Sequence, residues 1–252
     1  MQGCRSSPET PGERGFILIG TIWLLVLAGS IAAVLMLRSL GAATEAAAGA
    51  EALQRKLALE SATETVLADH LFNDIRGRWW LLPATGQVTV GGQNVNVRIT
   101  SESGRLDVNE ADPRLIDNAL RAMGIDARNR DPIINRLIER RSMRQPIATF
   151  AALRSLLAAG PASHPCIINN LTFVSGRPEP RPSHMSPLLS RALASPATAP
   201  ASAREAAEPG AALRIEAMTP EGASLMTVAR IGAGSLPLSV AAREISPQRC
   251  NR

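Results

Sequence analysis

The sequence contains no tyrosine, and aromatic residues make up only 3% of it. Any core is therefore aliphatic, assembled from Ala, Leu, Ile and Val. Lysine is almost missing as well: Lys56 stands alone, so the 27 basic residues are otherwise arginine, against 22 acidic ones. The resulting net charge of +5 is spread along the chain. It lacks the clustered patch usual in nucleic-acid binding. An Arg- and Ala-rich, Lys-poor composition can follow from genome base composition alone, so the high isoelectric point carries little functional weight. The three cysteines, Cys4, Cys166 and Cys250, form no CxxC pair, which removes zinc-ribbon and thioredoxin-like readings. The three histidines, His70, His164 and His184, stand near no nucleophile pattern. Gly-rich phosphate loops, metalloprotease helices and Gly-x-Ser-x-Gly elbows are also missing. The chain reads as a protein that is not an enzyme.

What is present begins with a long apolar run. The 252 residues, 45% hydrophobic, have room for a membrane segment plus one or two small domains. Residues 16–37, FILIGTIWLLVLAGSIAAVLML, carry no charge and are enough to span a bilayer as a helix, ended by Arg38. A plain single-span anchor and a cleaved secretory signal are the simpler readings. The small residues Gly41, Ala42 and Ala43 suit a signal-peptide site, whereas the run is longer than a usual signal core. Arg5 and Arg14 on one side, Arg38 on the other, leave orientation undecided by loop charge.

Helical character continues from Arg38 to about Arg76, with no proline in between. Leu53, Leu57, Leu67, Leu71 and Ile75, with Glu60 and Glu64, recur every three or four residues and predict one apolar stripe. Gly77 and Pro83 end the pattern. Gln87–Val90 and Val95–Thr100 then read as a β-hairpin around Gly91-Gly92-Gln93-Asn94. Strand character resumes only at Leu213–Met218, turns at Thr219-Pro220-Glu221-Gly222, and continues over Ala223–Ile231 and Leu238–Ile245.

The interval between these strands is helical. Asn109 or Asp112 can cap a helix over Arg114–Met123, with Pro113 in its first turn and Gly124 as its left-handed end. A second helix is expected from Asp131-Pro132 to Arg141, and a third, capped by Thr149, over Phe150–Ala159. Ile167–Val174 reads as partly extended. From Gly176 to Ala212 proline, alanine and serine dominate, which argues for a linker or a poorly ordered loop.

Several of these segments resemble a known family. Gly-Glu-Arg-Gly followed at once by Phe16 resembles the type IV prepilin leader. The resemblance implies cleavage by a prepilin peptidase between Gly15 and Phe16, with methylation of the new N-terminus and retention of the apolar helix. Gly20 then occupies the fifth mature position, where most pilin-like subunits carry a Glu that neutralises a neighbour's terminal amine. The K-type minor pseudopilin of type II secretion systems typically lacks that Glu. SESGRLDVNEADPRLIDNALRAMG, QPIATFAALRSLLAAG, LTFVSGRP and LRIEAMTPEGASLMTVARIG are similar to successive segments of that family.

The implied fold is α+β: a pilin-like long N-terminal helix packed on an antiparallel sheet, with an all-α helix-hairpin-helix-like insertion. The implied division is 1–15 leader, 16–37 transmembrane helix, 38–102 stalk helix and first hairpin, 103–175 insertion, 176–212 linker, and 213–252 returning strands and tail. The implied place is the bacterial inner membrane, crossed once, with a periplasmic C-terminal domain. There Cys166 and Cys250 could form a disulfide. The implied role is at the pseudopilus tip, starting assembly and supporting export across the outer membrane. The implied partners are the other minor pseudopilins and the major pseudopilin. The sequence departs from the family at Ile138–Arg144, which is basic where members carry an acidic, Trp-containing segment.

That departure bears on calcium, which K-type proteins can bind. Six to eight oxygens are needed, and the candidates are Asp107, Glu110, Asp112, Asp126 and Asp131. The same acids serve as helix caps, so no cofactor is expected, with calcium the one candidate. A rival reading is a membrane-anchored helix-hairpin-helix protein that binds DNA in a competence-type role, through Arg136, Arg140, Arg141 and Arg144. Against it, the hairpin Met123-Gly124-Ile125-Asp126 has one glycine where two are wanted, and Asp126 would repel phosphate. No nucleic-acid partner is expected.

Overall fold

The computed structural model describes residues 12–72, 77–158, 165–193, 205–206, 208, 210–232 and 238–246. The chain divides into two compact units, Met1–Gln54 and Arg55–Arg252. The described part of the first belongs to helix α1, whose full extent is Gly12–Phe72. Alanine, leucine and other strong helix formers fill it, and no proline interrupts it.

The second unit is α+β. Its sheet has five strands, β2 (Ala84–Val90), β3 (Gln93–Ser101), β7 (Ala212–Met218), β8 (Ser224–Ile231) and β9 (Leu238–Ser246), in the order β2-β3-β7-β8-β9. All neighbours are antiparallel. The first hairpin turns on Gly91 and Gly92, both at positive φ, the backbone that a two-residue turn between twisted strands demands. A second hairpin turns at Thr219–Gly222, closed by Thr219 N–H donating to the Ala223 carbonyl and Gly222 N–H to that of Thr219.

Strand alternation gives the sheet two apolar faces. Val95, Val97, Ile99, Leu213, Ile215, Ala217, Leu225 and Ala229 pack with Ala58, Leu59, Ala62, Val66 and Leu67 of α1. Ala212, Met226 and Val228 face the other way, into a separate core shared with the insertion. The sheet thus lies between one helix and a helical layer, and both cores are mostly aliphatic, as composition leads one to expect, with Trp79 on one side and Phe150 and Phe173 on the other.

The stripe predicted on α1 needs correction. Leu67 is buried, but Leu53 and Leu57 remain more than half exposed. The buried face runs through Ala58, Leu59, Ala62, Thr63, Val66, Leu67 and His70. It is turned by roughly a third of the circumference from the predicted one, at 3.6 residues per turn. Small residues decide the matter: Ala58, Ala62 and Thr63 let the helix backbone approach the sheet, and a scan for large apolar side chains passes over them. Ile75 lies outside the described residues.

The insertion contains α2 (Pro113–Ala122), α3 (Ala127–Ser142), α4 (Phe150–Leu157), α5 (Pro165–Ile168) and α6 (Pro187–Ala192). Caps fix their starts: the side chains of Asp112, Asp126, Thr149 and Ser186 accept from backbone N–H groups of the first turn. Helix α3 begins four residues before the predicted Asp131, because the Asp126 cap nucleates it and Pro132 is tolerated inside. Two short strands, β4 (Leu106–Asp107) and β5 (Leu171–Thr172), pair in parallel and tie the insertion's ends together.

The Pro-rich stretch expected as a linker is partly built into the core. Pro182–His184 form a 3-10 turn, and α6 buries Leu189 completely. Ser186-Pro187 supplies the reason, a capping serine followed by proline at the first helical position. A further pair, β1 (Leu81–Leu82) with β6 (Glu205–Ala206), reaches the far end of that stretch. Cys4, Cys250 and the side chain of Cys166 lie outside the described residues, and the expected disulfide with them.

Candidate functional site

Two regions carry the residues on which a function can rest. The first is the N-terminal part of α1. Gly15, Phe16 and Gly20 all fall within this helix, and nothing beyond its backbone is described for Gly15 and Phe16. Among the described residues one helix is long and apolar enough to cross a membrane, with a window of mean hydropathy 2.4, none of it buried. Leu18 to Leu37 expose their leucines, isoleucines, valines and Trp23 to the surroundings. An aliphatic surface of this extent is costly in water and favourable in hydrocarbon. Around Gly20 the space is open: a Cβ there would meet nothing within 4 Å. The chain's own packing therefore does not require glycine at this position.

The second region holds the insertion to the sheet, and the sequence reading had not picked it out. Arg214 on β7 is fully buried, as is Glu102 in the turn after β3. The Arg214 Nε and Nη2 donate to the Glu102 carboxylate oxygens at 2.5 and 3.2 Å. Its Nη1 and Nη2 also donate to the carbonyls of Ile168 and Leu171, at 3.0 and 3.1 Å. The guanidinium lies over the Phe150 ring, 5.6 Å from its centroid. Arg105 completes the node, 3.2 Å from Glu102 and bonded to the carbonyls of Ser101 and Asn169. Sheet, turn, α4 and β5 thus meet on one buried ion pair. Beside it, a Cβ on Gly104 would sit 2.0 Å from the His184 carbonyl oxygen, so this turn admits only glycine.

Burial alone would raise the Glu102 pKa. The charges of Arg214 and Arg105, with hydrogen bonds from Arg214 and Thr172, outweigh it and hold the carboxyl below its ordinary 4.5. Burial, aided by the Arg214 charge, pulls Arg105 down to about 10. A carboxyl with a depressed folded pKa contributes stability that is present above the unfolded value and lost as pH falls through the folded one. The unfolding midpoint should therefore drop as pH is lowered below the ordinary 4.5 of Glu102. Glu102→Gln should flatten that drop while lowering the midpoint at neutral pH. Thermal unfolding from pH 7 to pH 3 is the check. An unchanged slope in the variant would remove Glu102 from the acid response.

The acids proposed for calcium are placed differently. Asp107 is buried, and its oxygens accept from Asn109 N–H, the Ser175 hydroxyl and Gly176 N–H. Asp112 and Asp126 each give Oδ1 to a helix cap. Arg141 donates through Nε and Nη2 to the Val108 carbonyl at 3.1 and 2.7 Å. Burial lowers its pKa, against the charges of Glu110, Asp107 and Asp112, which hold it up. A guanidinium therefore already supplies positive charge to three of the five acids. Among the described residues no group of three His, Cys, Asp or Glu side chains is placed together to hold a metal.

Asn109, instead of capping α2, bridges three segments. Its side chain bonds both backbone groups of Ile147 and the Phe173 carbonyl. Between α2 and α3, Gly124 takes the expected positive φ. The N-terminus of α3, where a helix-hairpin-helix unit would receive phosphate, is filled by the carboxylate of Asp126.

No protein-family profile, curated protein or solved structure matches this chain.

Proposed function

We propose that the chain is a minor pseudopilin of a type II secretion system, similar to the K-type subunit, placed at the pseudopilus tip. The observation that carries the reading is the N-terminal junction: Gly15, then an apolar helix uninterrupted from Phe16, with Gly20 at the fifth position. Prepilin peptidase would cut after Gly15 and leave the helix as a single-pass inner-membrane anchor, its C-terminal domain periplasmic. The α+β domain, with a long helix against an antiparallel sheet, suits that family, and the helical insertion is the bulk that such a tip would carry. The role is assembly, without catalysis.

The physical argument for the tip is electrostatic. A terminal ammonium inside an apolar filament core is costly unless a carboxylate meets it. A subunit with glycine at the fifth position offers none to a subunit stacked above, so it suits the end of the filament. Its partners would be the other minor pseudopilins and then the major pseudopilin. Filament growth beneath it would push substrate towards the outer-membrane channel. Quantitative mass spectrometry of purified pseudopili should find about one copy per filament, given the cost of an unpaired buried charge. Many copies along the shaft would remove the tip assignment.

A further inference from the structure

Outside the buried ion pair lies a cavity of about 640 Å³ between the outer face of β3 and the segment that carries α6. Its charge is unbalanced. Arg98, Arg105 and Arg191 line it, against Glu216 as the one acid. Arg98 and Glu216 are cross-strand partners on β3 and β7, and Arg105 shares Glu102 with Arg214, so three arginines beside the cavity draw on two acids and Arg191 adds a further positive charge at its rim. Arg105 forms the floor. Thr100, Ser101, Glu102 and Asn169 take its Nε, both Nη1 hydrogens and one Nη2 hydrogen. Another Nη2 hydrogen is left over, since a guanidinium has five. Arg191 reaches the rim from α6 and, among the described residues, gives its Nε alone, to the Pro187 carbonyl. That leaves its Nη pair for another acceptor. Arg98 is exposed and stands across the strands from Glu216. Glu205, beside the wall, already takes the Ser183 hydroxyl and lies 3.6 Å from His184.

The remaining walls are mixed. Pro83 and Leu188 are apolar, and Asn169 adds an amide. The volume is that of a ligand pocket and well beyond a single small anion. An acceptor-only group with two oxygens suits paired guanidinium forks, and apolar walls with amides suit the peptide that carries it. We infer that this cavity binds an acidic peptide segment, with Arg98 and Arg191 gripping its carboxylates above Arg105. The site goes beyond the assembly reading and does not require it.

Isothermal titration calorimetry on the full chain in a neutral detergent tests the inference, with hexaglutamate, inorganic phosphate and single-stranded oligothymidylate as probes. Hexaglutamate should bind saturably and weaken with added salt. The Arg98→Ala/Arg191→Ala variant should lose roughly tenfold or more in affinity, the scale of one charge-assisted hydrogen bond. Both residues are exposed, so the unfolding midpoint should be kept. Arg128→Ala, remote from the cavity and also exposed, should bind as the parent does. Absence of hexaglutamate binding, or equal binding by the double variant, would overturn the site. Phosphate binding as tightly as the peptide would reduce it to a simple anion pocket, and tighter oligothymidylate binding would make it a nucleic-acid surface. Either result refutes the inference as stated.

Discussion

Arg214→Met is expected to lower the unfolding free energy by about 3–5 kcal/mol, because it strands the Glu102 carboxylate in a fully buried site. The substitution keeps most of the side-chain volume, so cavity formation adds little. The loss is dominated by a buried carboxylate left with Arg105 as its one remaining charge partner among the described residues and by two carbonyls, of Ile168 and Leu171, left without their donor. For a domain of this size the melting temperature should fall by roughly 6–20 °C. A Glu102→Leu/Arg214→Met pair should be less destabilised than Glu102→Leu alone, which leaves both Arg214 and Arg105 without their carboxylate. Denaturant unfolding of the four proteins in a common detergent gives the coupling directly. A single-variant loss below about 1 kcal/mol, the value of an exposed pair, would mean that the node is hydrated and holds little.

The Glu102–Arg214 pair also marks the limit of what the sequence discloses. Its members stand 112 residues apart, and neither belongs to a local pattern. Glu102 looks like one more polar residue before a glycine, and Arg214 like an alternation on an outward strand face. Local chemistry, by contrast, is legible. Gly91-Gly92, the Thr219–Gly222 turn, the Thr149 cap and Gly124 all do in the structure what their residue types dictate. Intermediate cases fail in a consistent way. The α1 face was misplaced because contact with the sheet is made through Ala58, Ala62 and Thr63, which carry little hydrophobic weight. Helix α3 starts earlier than the Asp131-Pro132 signal suggests, because the Asp126 cap already supplies a beginning. In the Pro-rich stretch, average composition concealed a four-residue motif, Ser186 to Leu189, sufficient to bury a leucine. Of the candidate site, Gly15, Phe16 and Gly20 come from sequence alone, because the roles proposed for them, in cleavage and filament stacking, lie outside a single chain.

Gly20→Glu is the second change with a large expected effect. A Cβ at this position meets nothing within 4 Å, and glutamate is a good helix former. The isolated chain should therefore fold as before, with an unchanged unfolding midpoint for the soluble part. Under the proposed tip assignment, its behaviour in a filament should change. The new carboxylate can pair with the terminal amine of a neighbour above, lifting a penalty of several kcal/mol for each internal placement. Copies per pseudopilus should rise from about one to several, because each 1.4 kcal/mol is a tenfold shift in the balance between tip and shaft. Quantitative crosslinking of pseudopili assembled with the parent or the variant reads this out. The same copy number in both would show that the fifth position does not govern placement, and that the insertion's bulk or another contact does.

The most direct test of the whole account is the N-terminus of the mature protein. The chain should be extracted from membranes of cells that contain a prepilin peptidase, and sequenced from its first residue. A start at Phe16, retained with the membrane fraction, is the predicted result; loss of that start in peptidase-deficient cells should accompany it. A start near Ala43, with the protein released from the membrane, would show a secretory signal and contradict the pseudopilin reading. So would an intact Met1 in peptidase-containing cells, which would leave only a plain membrane anchor.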